Sequence, residues 1–101
     1  FICTMSIHDP ETYRKYTALT PATVNRYGGK FLTRGEEVLT VEGESFADRL
    51  VILEFPDRAK AMAWHDDADY QSASAFRRAA STGRMILQEG SENTANPDPK
   101  V

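Results

Sequence analysis

The chain has 101 residues, 41% of them hydrophobic and 27% charged, which fits one domain with a modest core and leaves no room for a second. A formal net charge of −3, with no basic run interleaved with aromatics, argues against nucleic acid as a partner. Cys3 is the single cysteine and cannot close an internal disulfide, no apolar run approaches the roughly 20 residues of a membrane span, and no signal peptide precedes the first strand. A cytoplasmic setting and no membrane partner are therefore expected. Because the numbering begins at Phe1 rather than methionine, the sequence is read as a trimmed part of a longer product, with room for an upstream targeting segment.

Phe1 to Ile7 alternates with the period of a strand, Phe1, Cys3, Met5 and Ile7 on one face and Ile2, Thr4 and Ser6 on the other. Asp9-Pro10-Glu11 then supplies a cap, a preset helical φ and a first-turn carboxylate, which predicts a helix to Leu19. Thr20-Pro21 reads as a second cap, giving a short helix to Tyr27 kinked against the first. Gly28-Gly29 ends that helix. Lys30 to Glu42 is predicted as one strand bulged at Arg34-Gly35, the bulge re-aiming Arg34, and Arg49 to Phe55 as a central strand, apolar on both faces. Pro56-Asp57 caps a helix over Arg58 to Asp66. Asp66 to Asp69 forms a polar joint, and a further helical run reaches Ser81. Gly83 is expected to end it, with a last strand over Met85 to Glu89. From Ser91 little remains to bury, so 91–101 is expected to be a flexible tail on a single domain spanning 1–90.

The order strand, helix, strand, strand, helix, strand is the α+β, ferredoxin-like βαββαβ arrangement with a four-stranded antiparallel sheet. Two helical regions cover one face of such a sheet, yet the central strand carries Leu50 and Ile52 on one side and Val51, Leu53 and Phe55 on the other, so the uncovered face is apolar too. Burying that face against a second copy predicts a homodimer with a barrel-like centre.

Asp9-Pro10-Glu11 with Tyr13 and Tyr16, Tyr27-Gly28-Gly29 with Phe31, Arg34-Gly35, Glu42-Gly43, Arg49 with Glu54-Phe55-Pro56, Ala61 with Trp64, Tyr70-Gln71 and Arg77 together resemble the DUF1330 family of the dimeric α/β-barrel superfamily. The likeness runs from Phe1 to Gly90. It implies a pocket between sheet and helices in each subunit. The superfamily includes cofactor-independent monooxygenases of polyketide pathways, lactone isomerases and small-molecule cyclases. The chain departs from the family pattern after Trp64, where His65 and Asp67-Ala68 stand in place of an aromatic residue and a serine-proline pair.

No metal-ligand cluster, nucleophile motif or phosphate loop is present, so no cofactor is expected. The candidate catalytic residues are His65, Glu54 and Arg77. His65 qualifies because histidine is the residue type best suited to exchange protons near neutral pH, with a solvated surface histidine as the alternative. Glu54 lies on the Leu50 and Ile52 face, where it either meets an arginine or acts as a base. Arg34, Arg49 and Arg77 offer planar, permanently charged forks for a carboxylate or enolate, with structural pairing as the competing role. Tyr13, Tyr16 and Tyr70 offer phenols and rings, and Trp64 a flat wall, for substrate binding, with core packing as the alternative use. His8 reads as exposed and Cys3 as buried packing. Together these suggest a cofactor-independent enzyme working by acid/base chemistry on an apolar, aromatic or polyketide-like carbonyl compound, of cyclase, isomerase or monooxygenase type. The alternative is a non-catalytic dimeric metabolite-binding or interaction protein.

Overall fold

In the computed structural model, which describes residues 1–100, seven elements follow one another: β1 (Ile2–Ile7), α1 (Pro10–Arg26), β2 (Lys30–Arg34), β3 (Arg49–Glu54), α2 (Arg58–Asp66), α3 (Ala68–Ala80) and β4 (Ser81–Ile86). The strands form one sheet in the order β2-β3-β1-β4, every neighbouring pair antiparallel. This is the predicted α+β, ferredoxin-like architecture.

The helix starts are set by aspartates. Asp9 accepts from Thr12 N at 3.2 Å and Asp57 from Lys60 N at 2.8 Å, each satisfying an amide that the first turn leaves open. Asp67 closes α2 and opens α3, accepting from Tyr70 N at 3.0 Å. The same carboxylate takes the Tyr27 hydroxyl at 2.7 Å and Arg26 at 2.9 Å, which ties the end of α1 to the α2–α3 joint. Those bonds hold its carboxyl below the usual carboxylate range, the Tyr27 hydroxyl contributing most. Asp67 thus caps α3.

Four expectations are corrected. First, α1 is one continuous helix through Pro21. Second, residues 36–48 form no strand, and Leu39 and Val41 point into solvent at 78% and 88% exposure. Third, the β2 bulge lies between Phe31 and Thr33, ahead of the Arg34-Gly35 pair. Fourth, β4 starts four residues before its predicted Met85, immediately after α3, with Ser81 Oγ donating to Arg77 O at 2.6 Å. Gly83 lies inside β4 opposite Met5, where a Cβ would come within 2.8 Å of the Met5 sulfur. Its job there is close strand approach rather than helix termination.

All three helices pack on one face of the sheet. Val24, Trp64, Tyr70 and Ala80 are wholly buried there over Cys3, Met5 and Leu53. On the opposite face Ile2, Leu50, Ile52 and Ile86 have no covering layer, Ile86 being 47% exposed. Residues 91–100 form no helix or strand and are exposed throughout; position 101, the end of the expected tail, lies outside the described residues. Among the described residues no helix is long and apolar enough to cross a membrane.

Candidate functional site

A cavity of about 30 Å³ lies between the sheet and the helices. Cys3, Met5, Val51 and Leu53 form its floor and Trp64 one wall. Three arginines, Arg34, Arg49 and Arg77, also line it, and no aspartate or glutamate does among the described residues. A chain of net charge −3 therefore lines one small cavity with three positive charges and no counter-charge.

Local backbone geometry brings each arginine there. Residues directly opposite in an antiparallel pair share a face, and β2 places Phe31 opposite Leu53 and Arg34 opposite Val51, both inward. Positions three apart in a regular strand would face opposite ways, so the bulge restores Arg34 to the helix side. Its guanidinium lies 4.7 Å over the Phe31 ring and donates to Thr17 O and to Thr20 Oγ1. Thr17 is four residues before Pro21. Proline has no N–H to give that carbonyl, so the helix leaves an acceptor that Arg34 takes, with the Thr20 hydroxyl donating to the same oxygen at 3.4 Å. The residue expected to kink α1 instead positions an arginine.

Arg49 stands opposite Met5, with its guanidinium carbon 5.6 Å from the Tyr13 ring centre. Gly35, at φ 85°, makes room for it, since a Cβ there would sit 2.5 Å from one Arg49 terminal nitrogen. Arg77 comes from the last turn of α3 and lies 5.8 Å from the Tyr16 ring centre. Neither Arg49 nor Arg77 forms an ion pair among the described residues, and the Nε of each is buried without a hydrogen-bond partner. Leaving a buried donor unmet costs roughly 1–3 kcal/mol, so each of these nitrogens is a donor that nothing among the described residues satisfies. Glu36 is the carboxylate that senses Arg49, but it is exposed and hydrogen-bonded to Arg34 N at 2.7 Å and Thr33 Oγ1 at 3.1 Å.

The other lining groups hold their protons. Burial pushes the Cys3 thiol from 9.0 to about 11, with the amino terminus and Arg77 pulling the other way. Burial raises the phenols of Tyr13, Tyr16 and Tyr70 as well, and Arg77 opposes each shift. Tyr16 and Tyr70 place their hydroxyls 3.0 Å apart, and Tyr70 reaches the Met85 sulfur at 3.5 Å. Trp64 donates to Thr23 Oγ1 at 3.1 Å and packs against Tyr70 with ring centres 4.0 Å apart and planes tilted by 41°.

Of the predicted site residues, Arg34, Arg77, Tyr13, Tyr16 and Trp64 meet at this cavity, and Tyr70 backs it through Tyr16. His65 and Glu54 do not. Trp64 takes the inward direction on α2, leaving the half-buried His65 on the flank, 6.1 Å from Phe1 between ring centres and 3.8 Å from the Asp66 carboxylate. Glu54 sits exposed on the uncovered face opposite Lys30, with no ion pair among the described residues. Alternation along β3 sends Leu53 inward and its neighbour Glu54 outward. Thr17 and Thr20 were not singled out from the sequence. Pro21 inside a helical pattern was the available signal, because it frees the carbonyl four residues earlier.

Among the described residues no group of three or more His, Cys, Asp or Glu side chains is placed to hold a metal ion. Functionally curated proteins return no match to the chain. Solved structures that resemble it include two of RPA0582. The methylated RPA0582 protein superposes with a TM-score of 0.65 at 23% identity, covering 92% of this chain and 83% of that one. RPA0582, a protein of unknown function from Rhodopseudomonas palustris, gives 0.62 at 21% identity over 87% and 83%. At these identities the likeness establishes the shared fold. The sequence profile of the domain of unknown function DUF1330 matches residues 1–91, nearly the whole chain including every arginine of the cavity, and the chain therefore belongs to the DUF1330 family.

Proposed function

We propose that this DUF1330 protein binds the carboxylate or enolate form of a small carbonyl compound between its sheet and helices. Three arginines without a carboxylate among them carry this reading. A guanidinium half-buried beside an aromatic ring attracts an acceptor more strongly than one in water, because the surroundings screen it less. Where the compound is turned over, the arginines supply the catalysis by favouring the enolate, so an acidic carbon flanked by two carbonyls loses its proton to water at the mouth. Returning that proton to another atom is an isomerisation, and attack by the enolate carbon on a second carbonyl is a cyclisation. No step needs a cofactor. The alternative, recognition without turnover, is favoured by one observation: no neutral imidazole or carboxylate that could act as a base lines the cavity among the described residues.

We also propose that the protein works as a homodimer joined through the uncovered sheet face, where Ile2, Leu50, Ile52 and Ile86 would be buried.

The test is calorimetric titration with benzoylacetate, which carries both a carboxylate and an acidic carbon, coupled to absorbance detection of its enolate. Binding and a raised enolate fraction in the parent, both lost in Arg77→Gln, are expected. Binding with an unchanged enolate fraction leaves recognition alone standing. Absence of binding by any organic acid overturns the reading.

A further inference from the structure

An open cleft of about 460 Å³ adjoins the inner cavity on the α1 side. Tyr13, Thr17, Arg34 and Arg49 line both, so the two spaces share a border. The two spaces differ in size and finish. The inner one holds only a small group, a carboxylate or a carbonyl, without rearrangement. The outer one is far larger, and its apolar lining comes from Ile7, Pro10 and Ala18. Its charged lining is Arg14, Arg34 and Arg49, again with no aspartate or glutamate among the described residues. Arg14 is exposed on α1 and forms no ion pair among the described residues.

From this arrangement we infer that the ligand is a compound with two acidic groups, which enters acid first. One acid is held inside by Arg49 and Arg77, an apolar spacer rests on Ile7, Pro10 and Ala18, and the second acid meets Arg14 outside. The inner volume excludes the ligand's body, so the body occupies the outer cleft, and an anion at its far end meets the one guanidinium that lines the cleft without reaching the inner cavity. This deepens the anion-binding reading above and rests on it.

The test compares straight-chain monocarboxylates with dicarboxylates of equal carbon number, from glutarate to suberate, by calorimetric titration at low salt. For the best-fitting length the dicarboxylate is expected to bind about fivefold tighter, the scale of a partly exposed charge-assisted contact. Arg14→Gln is expected to bring that ratio to about one, and half-molar salt to shrink it in the parent. Arg77→Gln is expected to weaken both series. Equal affinity of the two series in the parent, or a ratio that survives Arg14→Gln, overturns the two-acid inference while leaving anion binding in place. Failure of both series to bind overturns the anion reading itself and this inference with it.

Discussion

The two faces of the sheet each depart from the usual arrangement of a protein in water, the inner by admitting arginines beside the core and the outer by leaving aliphatic side chains uncovered. Strand β3 sends Arg49 toward the helices and Leu50 and Ile52 toward solvent, and β2 uses a bulge to send Arg34 inward as well. Burying unmatched charge while leaving aliphatic side chains uncovered costs stability on both sides. On the reading proposed above, each face meets something the single chain lacks: an anion inside, an apolar partner outside.

The largest effect is expected on the outer face. Ile52→Asp places a carboxylate amid Leu50 and Ile2 and is expected to convert a dimer wholly to single subunits in sedimentation velocity, with circular dichroism unchanged. A parent that sediments as one subunit at high micromolar concentration removes that half of the comparison. On the inner face, Arg77→Gln is expected to weaken organic-acid binding by about 10- to 100-fold, the loss of one charge-assisted contact. The same variant is expected to raise the melting temperature of the empty protein, because it removes a charge with an unmet buried donor. A lowered melting temperature would instead mark Arg77 as a structural residue.

A smaller effect is expected from Pro21→Ala, which restores the amide to the Thr17 carbonyl and displaces Arg34 from it. The helix gains up to about 3 kcal/mol of intrinsic preference while acid binding falls a few fold. Unchanged affinity would show that Arg34 needs no such anchor.

The smallest effect is alkaline. The folded Cys3 thiol keeps its proton to about 11 while an unfolded one releases it near 9.0. Its contribution to stability is thus complete below pH 9 and lost as pH rises toward 11, by about 1.4 kcal/mol per unit at most. The raised phenols of Tyr13, Tyr16 and Tyr70 add loss of the same sign above their ordinary value of 10.0. Denaturant unfolding from pH 8 to 10.5 is expected to track that fall, more weakly in Cys3→Ala.

Element order and sheet type were legible because alternation, caps and glycine pairs are local. Phe1 to Ile7, Asp9-Pro10 and Pro56-Asp57 each carry their meaning within a few residues. What could not be read depended on pairing. Whether Arg34 faced in or out turned on a bulge at Leu32, which only the register against β3 defines. Pro21 looked like a break, yet the loss of one helix bond was offset by a side chain from another strand. The inward placement of Arg34, Arg77 and Tyr16 followed their chemistry. His65 and Glu54 were suggested by chemistry too, but each adjoins a larger apolar residue, Trp64 or Leu53, that claimed the inward direction.

Trp64 is the one tryptophan in the chain. Fully enclosed, bonded through its indole nitrogen and forming part of the cavity wall, it serves as a built-in optical sensor. Any molecule that enters alters the field around that ring, so its emission wavelength and lifetime follow occupancy without a label. A collection of candidate compounds can therefore be surveyed in a fluorimeter before a single product has been identified.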